Sequence, residues 1–162
     1  MDTQYYTNEL TPEFLAGMDK SPFSAMDIAA MSDEHRELIR EQEEYLRQYP
    51  VTALWRQATV GSLTRRCGVV SSGSSGGQVM SSSGELVAFS LVGDEVTYPD
   101  GSVATIVSGS GSRISSNGKG YALVGSVLIN GDEIISTPQD IAVLCCHAGE
   151  TMPDDFLVVV AR

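Results

Sequence analysis

The hydrophobic pattern of the chain changes period near residue 60. Upstream, apolar residues fall at helical spacing. Ser24, with Asp27 three residues on, predicts a helix start for residues 25–31. Ser32 then caps a second helix, whose first turn carries Asp33 and Glu34 where the helix dipole favours acids. That helix runs to about Gln48 and stops at Tyr49-Pro50, because the residue before a proline is driven out of helical geometry. Leu38, Ile39, Tyr45 and Leu46 form a narrow apolar stripe on it, the pattern of a helix lying on a surface or against a partner helix. Arg40–Glu44 and Glu43–Arg47 are expected to pair one turn apart, each contributing a few tenths of a kcal/mol. Residues 1–23 read as weakly structured. Pro12 and Pro22 punctuate them, and Tyr5, Tyr6, Phe14 and Phe23 are isolated anchors that dock onto the protein's own body or onto a partner, with the own body favoured. Residues 51–60 are the junction, where Trp55 is expected to bury.

From Gly61 onward the texture is short strands and tight turns. Gly61-Ser62-Leu63-Thr64, Gly93-Asp94-Glu95-Val96 and Gly125-Ser126-Val127-Leu128 open alike at intervals of thirty-two residues. Each leads to a β-rich run ending in small polar residues: Val69-Val70-Ser71-Ser72-Gly73, Thr105-Ile106-Val107-Ser108-Gly109 and Ile134-Ile135-Ser136-Thr137. About three copies of one β unit are present, the last truncated. Asn117-Gly118 is a hairpin signal, since a two-residue turn with both residues at positive φ favours that pair. Ser83-Gly84 holds the comparable place in the previous unit. Tyr98-Pro99-Asp100-Gly101 is a second turn, with Pro presetting φ and Gly supplying the left-handed position. Units this small cannot each bury a face alone, so they are expected to close against one another around a pseudo-threefold axis. After Thr137, residues 141–147 and 156–161 both read as strands joined by a loop over 148–155, forming a hairpin that closes the domain or offers an edge.

Charge narrows the partners. The net charge of −11, with −6 on residues 1–57, argues against nucleic acid and anionic membrane surfaces, and keeps the surface soluble. No segment approaches the roughly 18 consecutive apolar residues of a membrane span. Met1-Asp2-Thr3-Gln4 lacks the basic-then-apolar pattern of a secretory signal. The expectation is a cytoplasmic protein that leaves the cell only through a machine needing no signal peptide. Three cysteines, two of them adjacent, do not make a disulfide framework and fit a reducing compartment.

The repeat residues carry a family resemblance. Gly93-Asp94-Glu95-Val96-Thr97-Tyr98-Pro99-Asp100-Gly101, Ile106-Val107-Ser108-Gly109-Ser110, Asn117-Gly118-Lys119, Ala122-Leu123-Val124-Gly125 and Gly131-Asp132-Glu133-Ile134-Ile135-Ser136 together resemble a PAAR-repeat protein. Gly68-Val69-Val70-Ser71-Ser72-Gly73-Ser74 fits the first unit of that pattern, and the resemblance covers residues 58–140, about half the chain. It implies a mainly β fold, a short-stranded pseudo-threefold cone over residues 58–140. Residues 1–57 would be an N-terminal extension, helical over about 24–48, and residues 141–162 a C-terminal β tail. It further implies a non-enzymatic tip that caps a trimeric spike protein, one copy per trimer, in a type VI secretion system. Such a tip sharpens the spike for envelope puncture and helps load or deliver effectors. The contact surface would be the exposed strand edges at the cone base. A tip for a phage or phage-tail-like particle, or an adaptor docking an effector or chaperone on residues 24–48, is the alternative.

The chain departs from that family in two places. The Pro-Ala-Ala-Arg signature stands here as Gly120-Tyr121-Ala122-Leu123. The family fixes its apex with a metal held by histidines and a cysteine, and those positions fall near Arg66, Tyr98 and Gly101. His35 reads as an ordinary surface histidine. Cys67, Cys145, Cys146 and His147 supply the only alternative set of soft zinc donors, although adjacent residues of a strand point to opposite faces. The expectation is no metal, and one of the paired cysteines packing inward as a small hydrophobe. Cys146-His147 also raises a thiol nucleophile, but catalytic partners normally converge from separate elements. Gly73-Ser74-Ser75-Gly76-Gly77 is glycine-rich but lacks the Lys and following helix of a phosphate loop.

Overall fold

The computed structural model describes residues 3–19 and 24–159. Pro22, Phe23, Val160 and Ala161 lie outside the described residues. The chain is mainly β with a few short helices. It divides into a helical unit, Leu10–Ala53 with Cys145–Glu150, and a β unit, Met1–Glu9, Leu54–Leu144 and Thr151–Arg162.

Among its described residues the helical unit is mostly α1 (Pro12–Asp19), α2 (Ala25–Ala30) and α3 (Asp33–Gln48). Ser24 caps α2 in a reciprocal box with Asp27, and the Ser32 hydroxyl accepts from the His35 N–H at the start of α3. α3 ends at Tyr49, before Pro50, as its sequence dictates. Its ion pairs are not the expected ones. Arg36, Arg40 and Arg47 each reach back three residues, to Asp33, Glu37 and Glu44. The i,i+3 acid is on the same face, and Arg40 and Arg47 find it before the residues four positions away. α1 is a correction to the reading of residues 1–23 as weakly structured. Thr11 caps it, accepting from the Phe14 N–H at 3.1 Å, and Pro12 fills the first helical position, where its missing N–H costs nothing.

Among the described residues eleven short strands follow: β1 (Val51–Arg56), β2 (Leu63–Thr64), β3 (Val69–Val70), β4 (Gln78–Met80), β5 (Leu86–Ala88), β6 (Glu95–Thr97), β7 (Val103–Thr105), β8 (Ser115–Ser116), β9 (Lys119–Gly120), β10 (Ile134–Ser136) and β11 (Val143–His147). β10-β2-β3-β6-β7 form one antiparallel sheet, and β4-β5, β8-β9 and β1-β11 are separate two-stranded ribbons. The repeat openings take the conformation that makes them glycine. Gly61, Gly93 and Gly125 sit at φ of 95°, 102° and 107°, and their N–H groups donate to Val70, Ile106 and Ile134. Three backbone bonds then close on themselves. The Ser90 N–H donates to the Ala58 carbonyl (3.1 Å), Ala122 to Ser90 (2.9 Å), and Ala58 back to Ala122 (2.9 Å). A second cycle runs from Val60 to Ala88, Val92 to Gly120 and Val124 to Arg56, each at 2.9 Å. The donors of each cycle, residues 58, 90 and 122 and residues 60, 92 and 124, stand thirty-two residues apart, and the last step of each returns across the copies.

The second cycle explains how the truncated third copy is completed. Ala88 ends β5, Gly120 ends β9, and Arg56 ends β1. β1 is therefore the returning strand of the third copy, although it precedes the first in sequence. Its partner β11 takes the place that β4 and β8 hold in the other two. This corrects the expected tail hairpin: β11 pairs with β1, not with residues 156–159. Those residues do not start as a strand either, since a turn runs through residue 157 and Leu157 sits at φ 57°. Phe156 instead packs edge-on against half-buried Trp55 at 4.8 Å between ring centroids, and Asp155 is held by the backbone N–H and hydroxyl of Ser112.

The core of the β unit is small: Ala58, Val70, Val96, Ala104, Ile106, Ala122, Leu128 and Ile134, with Tyr98 packed against it. Residues 3–9 cross the same unit as a strap. Tyr6 exchanges both backbone hydrogen bonds with Thr137, and the Asn8 amide spans the Arg56 N–H and the Val124 carbonyl. Arg56, only 3% exposed, donates to Asp140 (2.5 Å) and to the carbonyls of Thr7 and Glu9, and its guanidinium lies over the Tyr6 ring. Tyr6 thus anchors to the chain's own body. No described helix is long and apolar enough to cross a membrane.

Candidate functional site

Three loops of the β unit meet at one place. Arg66, Tyr98 and Asn130 stand thirty-two residues apart, one in the corresponding loop of each copy. Turn chemistry puts them there. Tyr98 opens the Tyr98-Pro99-Asp100-Gly101 turn, whose Gly101 N–H donates back to Tyr98 at φ 87°. Gly131, at φ 87°, closes onto the Leu128 carbonyl the turn that holds Asn130 in its third place, as the Cys67 N–H, at φ 69°, closes onto Thr64 the turn that holds Arg66.

The carboxylate of Asp132, 1% exposed, is the hub. The Tyr98 hydroxyl donates to it at 2.6 Å and accepts from the Asn130 amide at 3.0 Å. The backbone N–H groups of Arg66 (3.1 Å) and Glu133 (2.8 Å) donate to its other oxygen, and the Arg66 guanidinium reaches the Asn130 carbonyl (3.1 Å). Burial pushes the Asp132 carboxyl up, but hydrogen bonds from Thr64, Tyr98, Glu133 and Arg66 outweigh it and hold the group below the ordinary carboxylate value. Burial, aided by Asp132, raises the Tyr98 phenol above its usual value despite the Asn130 contact. Around these residues the arrangement is a cross-brace of three loops, with each polar group committed to another.

This geometry does not fit the metal that the resemblance implies. Zinc needs Cys, His or carboxylate donors. Here Arg66 brings a cation, Tyr98 is engaged at its hydroxyl on both sides, and Gly101 has no side chain. The other donor set is not assembled either. Cys67 lies exposed in the loop after β2, with φ 69°, in the β unit, whereas Cys145, Cys146 and His147 follow one another along β11 in the helical unit. Among the described residues no three His, Cys, Asp or Glu side chains are grouped to hold a metal ion. His147 Nδ1 faces the Tyr49 carbonyl at 3.3 Å and Cys146 Sγ the Glu150 carbonyl at 3.4 Å, so this thiol and this imidazole are turned to different partners.

The helical unit presents a second surface. No residue of α3 is buried. Leu38 is 56% and Tyr45 51% exposed, and Met26 on α2 is 84% exposed. Leu38, Tyr45 and Leu46 line a shallow groove rimmed by Glu41 and Gln42.

Asn130 and Asp132 are the site residues that sequence reasoning missed. The signal was available in the period that relates Arg66 to Tyr98, which leads directly to Asn130. By the same period Asp132 corresponds to Asp100 and Gly68, and Asp100 is exposed and bonds only its neighbour Ser102, so the period does not announce the role of Asp132. Comparison with protein-family models, curated proteins and solved structures finds no match for this chain.

Proposed function

We propose that the chain is a structural tip protein that caps a trimeric spike in a contractile injection machine, of the type VI secretion kind. The observation that carries the reading is the ring of hydrogen bonds joining Ala58, Ser90 and Ala122. It gives one chain three quasi-equivalent edges, and a trimer offers three equivalent partners for them. In this reading residues 58–140 form a small cone, with the Arg66–Tyr98–Asn130–Asp132 brace at its narrow end. A brace of short loops and committed hydrogen bonds suits a point that transmits force without changing shape. The role is mechanical, and no catalytic group is assigned.

A second role rests on α3. An amphipathic helix with no buried residue is not used by the chain's own core. It suits the docking of an effector or chaperone carried on the tip. The protein leaves the cytoplasm, in this reading, as part of the machine. The same cap serves a phage-tail-like particle, and neighbouring genes separate the two settings.

Affinity capture from cells expressing the co-encoded spike protein tests both roles. The full chain is expected to bring down spike and cargo. A Leu38→Asp/Tyr45→Asp chain is expected to keep the spike and lose the cargo. A folded chain that captures no spike overturns the tip reading, and one that keeps its cargo despite both substitutions overturns the role of α3.

A further inference from the structure

The three copies end in equivalent extended segments, and their outer backbone is used unequally. Ser72, Ser108 and Ser136 are equivalent: the first two take the Glu95 and Val127 N–H groups on their hydroxyls, and the third pairs with Leu63. Gly73, Gly109 and Thr137 follow them. At Thr137 the strap of residues 3–9 is seated, with both backbone bonds of an antiparallel pair made to Tyr6 (2.8 and 2.9 Å). At Gly109 the segment after Pro153 is seated, with the Leu157 N–H on the carbonyl at 2.8 Å. At Gly73 neither backbone group has a partner among the described residues, and residue 73 is half-exposed.

Gly73 is nonetheless built like Gly109. A Cβ on Gly73 would lie 2.8 Å from the Ala88 Cβ and 2.9 Å from the Phe89 carbonyl, as one on Gly109 would strike the equivalent Tyr121 carbonyl. Both glycines let the segment lie close on the returning strand. The inner side of the first copy is therefore packed as in the second, and among the described residues its outer side alone has no occupant.

We propose that the segment around Gly73, residues 71–74, is a docking edge for an extended segment of a partner protein, which adds to it antiparallel as residues 3–9 add at Thr137. The two internal occupants define its chemistry. Each brings an aromatic at or beside the pairing residue (Tyr6, Phe156) and a short polar side chain two residues from it that bonds backbone N–H (Asn8 to Arg56, Asp155 to Ser112). The partner segment carries the same pair. It is neutral or basic, because the Glu95 side chain stands exposed beside the edge. Main-chain bonds supply the affinity, and alternate side chains the selectivity. The proposal stands independently of the spike reading, since it follows from the equivalence of the three copies.

The probe is a capped peptide, Thr-Gln-Tyr-Tyr-Thr-Asn-Lys, copying residues 3–8 with Lys in place of Glu9, added to the isotope-labelled full chain. Amide resonances of residues 71–77 are expected to shift at millimolar peptide while those of Tyr6, Thr137, Gly109 and Leu157 stay. A peptide N-methylated at the tyrosine that copies Tyr6 loses that donor and is expected to bind roughly two- to tenfold more weakly. No shift at residues 71–77, a shift that N-methylation leaves unchanged, or shifts confined to Thr137 and Gly109 would overturn the proposal. The last result would mean that the peptide merely displaces the chain's own straps.

Discussion

Replacing Tyr98 by Phe removes one oxygen from the loop brace and leaves the ring that packs on the core. The hydroxyl donates at 2.6 Å to a carboxylate that is 1% exposed, so no water stands ready to replace it. A hydrogen bond to a charged group contributes about 1.5–3 kcal/mol. For a chain of this size each kcal/mol moves the midpoint by about 2–4 °C, so Tyr98→Phe should lower Tm by roughly 3–12 °C at pH 7. Calorimetry measures this directly. The pH dependence adds a second signature. Because the folded phenol titrates above its unfolded value, its contribution is complete below about pH 10 and is lost as pH rises through the folded pKa. The variant should lack that alkaline loss. A Tm within about 1 °C of the parent, or an unchanged alkaline limb, would refute the brace as a stabilising element.

Four other outcomes follow from the same geometry. Asp132→Asn should reduce the acid limb of stability, to which Asp100 and Asp155 also contribute, because a carboxylate held below its ordinary value contributes above that value and loses the contribution as pH falls through the folded pKa; Tm between pH 2 and 6 reads it. Arg56→Met strips three partners from the strap of residues 3–9, and should cost about 2 kcal/mol and expose those residues to protease, a loss reduced because Asp140 is 41% exposed. Ser32→Ala deletes the α3 cap and should lower helical ellipticity at a cost of about 1 kcal/mol, leaving the β unit's exchange protection intact. Gly118→Ala forces an L residue to φ 78° in the β8–β9 turn and should cost about 1 kcal/mol.

Local chemistry was legible where a residue acts through its immediate neighbours. Ser24 and Ser32 cap the helices they announce, and Asn117-Gly118 turns at φ 53° and 78° as the pair requires. The thirty-two-residue period was legible too, and it marks glycines whose positive φ only glycine adopts without strain. Pro12 reads as punctuation in isolation, but with Thr11 before it as a cap it is a helix start. The tail misled for a different reason. Its apolar run from Phe156 satisfies a strand pattern, but Asp155 is captured by Ser112 and Phe156 by Trp55, contacts over forty residues or more. The third hairpin was hidden for the same reason, as β1 and β11 come from opposite ends of the chain. The brace on Asp132 was hidden likewise, since that buried carboxylate draws its partners from all three copies.

Mass measurement of single complexes, with this chain and its co-encoded spike protein mixed at micromolar concentration, tests the central claim most directly. The account expects one added mass of 17.3 kDa per spike trimer, saturating there in excess chain. Three chains per trimer would contradict it, since one chain would then not supply all three edges. So would the absence of any complex between two folded proteins.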